Sequence, residues 1–181
     1  IKALIAFITA GDPDLDTSLK VINALPAAGV DIIELGMPFS DPMADGPVIQ
    51  RSYLRSLKAG NSLDKTLNLV RKFRKNNSKT PIILMGYYNP ILQMGIKVFF
   101  KKARYCGVDG VLIVDLPPDS NNEMDIETKE GDIDIIRLVT PNSDKGRLNT
   151  ILKASSGFLY YVSIAGITGT KINSLEGIKK K

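Results

Sequence analysis

The residues best suited to chemistry are three carboxylates in one short segment, residues 34–47. Glu34 closes a run of apolar residues, and Asp41 and Asp45 follow it among three prolines and two glycines. This composition predicts a shaped loop, because proline and glycine interrupt helices and strands. A glutamate at the end of a buried strand is partly desolvated, which raises its pKa and lets it donate and recover a proton near neutral pH. On spacing alone, an exposed Glu34 paired with a lysine is an equally good interpretation.

The chain has no histidine and a single cysteine, Cys106. The absence of histidine removes the commonest general base, the Ser-His and Cys-His nucleophile pairs and the usual zinc ligand. Any catalysis therefore depends on carboxylates, lysines, tyrosines or backbone amides, and we predict no metal site. One cysteine allows no internal disulfide, which is typical of a reducing, cytoplasmic setting.

The composition indicates one globular domain, residues 1–181. The chain is 44% hydrophobic and 24% charged, and it contains neither an apolar tract long enough to cross a bilayer nor a secretory signal pattern. Its formal charge of +5 could suggest a nucleic-acid ligand. The lysines and arginines, however, alternate with apolar residues in helical stretches, as on solvated helix faces. We therefore predict neither a nucleic-acid nor a membrane partner.

Short apolar runs alternate with stretches of helical periodicity along the whole chain. The runs are rich in Ile, Leu, Val and Phe and predict strands that are buried on both faces. The six predicted strands are Ala3–Ala10, Val30–Leu35, Pro81–Met85, Gly110–Asp115, Asp134–Thr140 and Gly157–Ser163. The predicted helices are Ser18–Ala28, Val48–Leu57, Ser62–Arg74, Ile91–Cys106, Arg147–Ala154 and Ser174–Lys181. Alternation of this kind predicts a parallel sheet.

A glycine followed closely by an aspartate precedes three of the predicted strands, at Gly29, Gly107 and Gly131. Each glycine is placed to close the preceding helix in a left-handed conformation that other residues avoid. Turns of any parallel α/β protein have this composition. The repeat therefore supports βα units without deciding between folds.

The positions of polar residues favour a closed barrel over an open doubly wound sheet. The first turn, Gly11–Pro13, lacks the GxGxxG fingerprint of a dinucleotide-binding sheet. Polar residues stand at or just beyond the carboxyl ends of the predicted strands, where barrel enzymes build their active sites. These residues are Thr9, Glu34, Tyr87, Asp115, Thr140 and Ser163. A complete (β/α)8 TIM barrel has eight strands and roughly 250 residues. We therefore predict an α/β barrel truncated to its first six βα units, incomplete at its C-terminus, with strands 7 and 8 absent.

At the carboxylate loop the sequence resembles one family in particular. Residues 34–50, which read ELGMPFSDPMADGPVIQ, are similar to the signature of tryptophan synthase alpha subunits. Other segments agree with that family in order and spacing, so the resemblance covers essentially the whole chain. They are Ala6–Pro13, Met85–Pro90, Val114–Pro118 and Tyr160–Gly169. The resemblance implies a lyase of tryptophan biosynthesis that cleaves indole-3-glycerol phosphate to indole and glyceraldehyde 3-phosphate.

The resemblance implies three catalytic residues, Glu34, Asp45 and Tyr160. Glu34 would be the proton shuttle that protonates the indole ring carbon bearing the side chain, which makes the retro-aldol cleavage feasible. Asp45 would bind the indole N–H and stabilise the positive charge that develops on the ring. Tyr160 would lie near the glycerol chain. Whether Glu34 or another group accepts the proton of the glycerol hydroxyl stays open.

The resemblance also implies substrate-binding residues, which are Phe7, Ile49, Met85, Tyr87, Leu112, Thr168 and Gly169. The apolar ones would line a slot for the indole ring; without the resemblance they would be assigned to the core. Gly169 would let the backbone approach the phosphate closely. Thr168 would close against Asp45 and screen the site from water.

Cofactor and partner follow from the same resemblance. It implies no cofactor in this chain and a tryptophan synthase beta subunit that carries pyridoxal phosphate, in an alpha2beta2 tetramer. Indole would pass to that partner through a tunnel. Residues 38–42 and 89–93 would be the contact surfaces.

The sequence departs from the family pattern in three places, and two other functions remain open. Residues 119–131 are too polar for the usual fourth helix, Ile164 stands where some members carry arginine, and the absent strands would hold further phosphate ligands. One alternative is another phosphate-binding barrel that acts on a phosphoribosyl or indole substrate. The other is a scaffold that activates a partner without turnover. A Schiff-base aldolase is disfavoured, because no predicted strand end presents a lysine.

Overall fold

The predicted alternation of strands and helices is present in the computed structural model, which describes residues 2–118, 124, 127 and 132–162. The strands are β1 (Ile5–Thr9), β2 (Ile32–Gly36), β3 (Ile82–Gly86), β4 (Gly110–Ile113), β5 (Asp134–Val139) and β6 (Leu159–Tyr161). The helices are α1 (Leu15–Ala24), α2 (Pro47–Lys58), α3 (Leu63–Arg74), α4 (Tyr88–Met94), α5 (Ile96–Cys106) and α6 (Lys145–Lys153). The glycine at 131, the strand end at Ser163 and the predicted helix Ser174–Lys181 lie outside the described residues.

The six strands form one parallel sheet, in which they pair in chain order. Phe7 of β1 aligns with Glu34 of β2, and Glu34 aligns with Ile83 of β3. A doubly wound sheet reverses its strand order, whereas the wall of a barrel follows the chain. The order confirms the prediction of the first six βα units of a TIM barrel.

The two faces of the sheet bury different residues, because successive side chains on a strand point to opposite faces. The outer face packs under the helices, in a core that includes Ile33, Leu35, Leu84 and Val111. The inner face carries a second cluster around Ile83, Leu112 and Ile136, with Met85, Leu138 and Tyr160 packed against it. Glu34 aligns with Ile83 and therefore belongs to the inner face.

Two differences between the predicted and the observed boundaries change how the elements are arranged. The predicted helix Ile91–Cys106 is two helices, α4 and α5, which meet at Gly95 with φ +87°. Only glycine adopts this φ without strain, so the chain changes direction there. The strand predicted to end at Leu35 continues to Gly36, so Glu34 lies in the middle of β2. None of the helices in the described residues is long and apolar enough to cross a membrane.

The glycine and aspartate repeat has a structural cause at two of its three positions. Gly29 and Gly107 are left-handed, as predicted, and end the helical turns before β2 and β4. The aspartates accept hydrogen bonds from neighbouring strands: Asp31 from the Leu4 amide at 2.7 Å and Asp109 from the Ile82 amide at 2.6 Å. Each aspartate thus ties the start of its own strand to the strand before it.

Gly11, in the turn after β1, offers a test of the packing beneath the site. Its φ is +70°, and a Cβ there would stand 2.7 Å from Nδ2 of Asn61, a buried side chain that holds the Ala10 carbonyl. Gly11→Ala is expected to lower the free energy of unfolding by about 2–4 kcal/mol, from backbone strain and overpacking together. The matched control is Gly29→Ala, where φ is +93° and an added Cβ would meet no other residue within 4 Å. Gly29→Ala should lower the free energy of unfolding by only about 1–2 kcal/mol, from backbone strain alone. If urea denaturation gave equal losses for the two variants, the packing explanation would be wrong.

Candidate active site

Glu34 lies on the inner face of the barrel wall with 4% of its surface exposed. Burial raises the pKa of its carboxyl from 4.5 to about 7. Among the residues that the structure describes, burial is the only cause of this shift. The prediction of a desolvated Glu34 is confirmed, and the interpretation as an exposed glutamate paired with a lysine is wrong. A carboxyl with this pKa exchanges its proton near neutral pH.

Asp45 is held in the loop between β2 and α2, and 8% of its surface is exposed. The Tyr87 hydroxyl donates a hydrogen bond to its Oδ2 at 2.7 Å, and the Ala44 amide donates to the same hydroxyl at 3.0 Å. The side chain of Gln50 donates to the Asp45 carbonyl at 2.8 Å. Burial raises the pKa of Asp45, while the bond from Tyr87 acts in the opposite direction. The tyrosine therefore holds the carboxylate in position and partly offsets the effect of burial on its pKa.

The sequence of the loop explains its shape. Pro47 occupies the first turn of α2, where its missing amide hydrogen costs no hydrogen bond, and Gly46 precedes it as the N-cap. The Asp45 amide donates to the Pro42 carbonyl at 3.1 Å, which turns the loop back towards the barrel. The ring of Phe39 packs against that of Tyr87, with 5.5 Å between centroids. The loop thus packs on the tyrosine that orients Asp45.

The remaining described members of the predicted site surround Glu34 or begin α2. The inner-face cluster contains Leu112, with Met85 and Tyr160 packed against it. Phe7 of β1 is aligned with Glu34, and Ile49 lies in the first turn of α2. Tyr160 is close enough to Glu34 for the carboxylate charge to raise its pKa, after the larger effect of burial. Gly36 lets the Phe7 ring cross the barrel mouth, since a Cβ there would stand 2.7 Å from that ring. Thr168 and Gly169 lie outside the described residues.

Two strand-end residues that the sequence placed on the active face are used for local structure. Asp115 accepts a hydrogen bond from the Tyr88 amide at 2.8 Å, at the start of α4. The Thr140 amide donates to the Ser143 hydroxyl at 3.2 Å in the turn before α6. Neither side chain is brought beside Glu34 by these contacts.

Sequence reasoning missed one residue at the site, Tyr53. It lies on α2, one turn after Ile49, and only 1% of its surface is exposed. Burial raises its pKa, and the charges of Asp45, Tyr87 and Glu34 raise it further. A Cβ built at Gly36, two positions after Glu34, would stand 3.2 Å from the Tyr53 hydroxyl oxygen. The signal in the sequence was the four-residue spacing from Ile49, which puts both side chains on one face of the helix.

Removing the Tyr87 hydroxyl should change the ionisation of Asp45. Tyr87→Phe deletes the bond that lowers the pKa of Asp45, so this pKa is expected to rise further above its usual range. The loss of one buried and one partly buried hydrogen bond should also lower the free energy of unfolding by about 1–3 kcal/mol. NMR titration of the carboxyl carbon measures the first effect and urea denaturation the second. Tyr105→Phe, at a residue 70% exposed, is the control. An unchanged pKa for Asp45 would contradict the assignment.

The fold and the site together define the wall of a (β/α) barrel that holds two buried carboxyls, side chains of a type suited to acid–base chemistry. Two buried carboxyls with raised pKa values stand beside apolar inner-face residues and three tyrosines, Tyr53, Tyr87 and Tyr160. Among the residues that the structure describes, no group of three metal-binding side chains occurs.

Comparisons with known proteins identify the family. The family model described as tryptophan synthase alpha chain matches residues 1–181. The crystal structure of the tryptophan synthase alpha chain from Legionella pneumophila is 40% identical, with a TM-score of 0.89 over 99% of this chain and 64% of that chain. A mutant alpha-subunit from Pyrococcus furiosus is 41% identical, with a TM-score of 0.88 over 98% of this chain and 71% of that chain. A chain from the Pyrococcus furiosus tryptophan synthase a2b2 complex is 44% identical, with a TM-score of 0.85 over 92% of this chain and 66% of that chain.

This chain belongs to the tryptophan synthase alpha chain family. It spans 64% of the length of the Legionella pneumophila chain that it matches.

Proposed function

We propose that this protein is a lyase of tryptophan biosynthesis that cleaves indole-3-glycerol phosphate into indole and glyceraldehyde 3-phosphate. The observation that carries the proposal is the buried Glu34 carboxyl, whose pKa of about 7 suits it to both giving and taking a proton. Membership of the tryptophan synthase alpha chain family supports the choice of substrate.

Glu34 acts first as the acid. Protonated Glu34 donates its proton to the indole ring carbon that bears the side chain, and the ring becomes an iminium-like electrophile. The bond between this carbon and the glycerol chain then breaks, and its electron pair returns to the ring to form indole. The adjacent hydroxyl loses its proton to the Glu34 carboxylate and becomes the aldehyde of glyceraldehyde 3-phosphate. The proton that was donated is thus recovered, and the enzyme is ready for another turnover.

Asp45 stabilises the charge that Glu34 creates. Its carboxylate accepts a hydrogen bond from the indole N–H, so that a negative charge faces the ring when the ring becomes positive. Tyr87 holds that carboxylate through the 2.7 Å hydrogen bond, so little reorganisation is needed during the reaction. Tyr160, half-buried beside Glu34, lies by the glycerol chain of the substrate.

Phe7, Ile49, Met85 and Leu112 line the slot for the indole ring. Leu112 is fully buried, whereas Met85 packs only partly buried against the inner-face cluster and leaves surface for a ligand. The phosphate is held by Gly169 and by backbone amides at the mouth of the barrel. Thr168 closes against Asp45 when substrate is bound. Tyr87 contributes to substrate binding indirectly, by orienting the Asp45 carboxylate.

The proposal extends to domain, partner and location. Residues 1–181 form a single barrel domain with the first six βα units, and the family's remaining phosphate contacts belong to strands 7 and 8. The partner is a tryptophan synthase beta subunit, which carries the pyridoxal phosphate, while this chain needs no cofactor of its own. The related Pyrococcus furiosus protein forms an a2b2 complex. Met43, 79% exposed, directly follows the first proposed contact segment, and Leu92, 50% exposed, lies within the second. The protein acts in the cytoplasm.

The experiment is a direct assay of indole release from indole-3-glycerol phosphate. The purified full chain is assayed alone and with a tryptophan synthase beta subunit. Release by the chain alone, and faster release with the partner, is the expected result. A chain that binds the beta subunit and raises its activity, but releases no indole in either assay, would be a scaffold. That outcome would contradict the proposed lyase function.

A further inference from the structure

Tyr53 combines nearly complete burial with a hydroxyl that has no protein partner in the described part of the chain. Its side chain is 1% exposed, and the shift of its pKa includes no hydrogen bond. Every fully enclosed side-chain polar atom among the described residues has a partner. The Tyr53 hydroxyl oxygen is therefore not fully enclosed, and it contributes to the small surface that this residue still exposes.

The hydroxyl opens towards the inner face of the barrel. A Cβ at Gly36 would stand 3.2 Å from the Tyr53 oxygen, so the missing side chain of this glycine makes the space that the phenol enters. Gly36 follows Glu34 by two positions on β2 and therefore lies on the same inner face, nearer the carboxyl end of the strand. The same Cβ would stand 2.7 Å from the Phe7 ring, so the phenol and this ring adjoin each other at the barrel mouth.

The chemistry of this phenol is that of a neutral hydrogen-bond donor. Burial raises the pKa of Tyr53, and the charges of Asp45 and Glu34 raise it further. Its proton therefore stays in place across the pH range in which Glu34 titrates. A buried tyrosine usually finds a partner for its hydroxyl. Here the nearest charged acceptors influence it electrostatically without forming a hydrogen bond, which leaves the donor for a ligand placed between them.

We propose that Tyr53 is a further substrate-binding residue, whose hydroxyl donates a hydrogen bond to the substrate hydroxyl beside the indole ring. The inference rests on the proposed function, because that function places this hydroxyl next to Glu34. When the hydroxyl oxygen accepts the bond from Tyr53, its own proton is left pointing away from the phenol and available to the Glu34 carboxylate. Tyr53 thus positions the proton that must be removed when the carbon–carbon bond breaks.

The test is Tyr53→Phe, which removes one oxygen atom and keeps the buried ring. The value of kcat/KM for indole release is expected to fall about tenfold to a hundredfold, as for the loss of one hydrogen bond made to a reacting group. The second measurement is the affinity for an unreactive analogue, an indole ring with a saturated three-carbon phosphate chain that lacks hydroxyl groups. The variant should bind this analogue within about twofold of the unchanged protein, because there is no hydroxyl contact to lose. Tyr105→Phe, at an exposed phenol, is the matched control.

Each outcome decides the proposal. A fall in kcat/KM with unchanged analogue affinity supports it. A kcat/KM for Tyr53→Phe equal to that of the control overturns it, and so does an equal loss of activity and of analogue affinity, since the phenol would then only support the fold. If the unchanged protein releases no indole, the proposed function fails first and this role fails with it. Activity of the unchanged protein separates the two failures.

Discussion

Glu34→Gln is expected to lower indole release by about a thousandfold or more, because one side chain serves as both the acid and the base of the reaction. Glutamine has nearly the same shape but cannot exchange a proton. The inner face around Glu34 offers no second carboxyl on the neighbouring strands, where Phe7 and Ile83 are its aligned partners. Steady-state assays with saturating substrate measure the loss directly.

The same substitution should make the protein more stable at high pH. The pKa of Glu34 is raised from 4.5 to about 7 in the folded state, so folding favours the protonated form. The contribution of Glu34 to stability is complete below the unfolded value and is lost as the pH rises through the folded value, up to about 3 kcal/mol. Above pH 7 the wild-type protein buries a charge, whereas glutamine stays neutral. Urea denaturation at about pH 8.5 should show a gain for the variant that disappears near pH 4.5.

The control for both effects is Glu127→Gln. Glu127 is also buried, at 6% exposure, but its carboxylate pairs with Arg104 at 3.1 Å. Its replacement should weaken the fold and leave kcat unchanged. A variant of Glu34 that keeps more than about a tenth of wild-type activity would contradict its role as the proton shuttle.

Asp45→Asn is expected to lower kcat/KM by about a hundredfold to a thousandfold, the range observed when one stabilising group is removed from a charged transition state. The asparagine oxygen can still accept the hydrogen bond from Tyr87, so the loop should keep its shape. What is lost is the negative charge opposite the indole nitrogen. The effect should therefore fall mainly on kcat, because the charge matters most after the ring is protonated.

Asp41→Asn supplies the control within the same loop. Asp41 is exposed, and its carboxylate accepts a hydrogen bond from the neighbouring Ser40 hydroxyl. Its replacement removes the same charge from the same loop but from outside the barrel. Equal losses for the two variants would show that loop charge in general is responsible, and the specific role of Asp45 would be wrong.

Periodicity predicted much of this fold, because strands buried on both faces and amphipathic helices leave strong patterns. Positions with unusual backbone conformations were harder to predict from the sequence. Gly95 divides one predicted helix into two. A single glycine within a periodic apolar stretch does not by itself predict that a helix ends there. Glu34 was expected at the end of its strand and lies inside it, because the pattern could not show whether Gly36 still pairs with Met85 of β3.

The candidate site divides between residues that local sequence can place and residues that only the fold brings together. The apolar neighbours of Glu34 in the chain indicated a buried carboxyl, but an exposed one fitted the spacing equally well, and the structure decides for burial. The bond between Tyr87 and Asp45 joins residues 42 positions apart, and no local pattern predicts such a contact. Tyr53 could not be assigned to the site from the sequence, because its phenol occupies space that the absence of a side chain at Gly36, on β2, leaves open.

The pH dependence of kcat/KM for indole release tests the central claim most directly, since this claim is that a desolvated Glu34 delivers the proton. The free enzyme must hold Glu34 protonated, and its pKa is about 7. Activity is therefore expected to fall about tenfold for each pH unit above this value. A profile that stays level from about pH 6 to pH 9 would contradict the account, because no group with the pKa of Glu34 would then supply the proton.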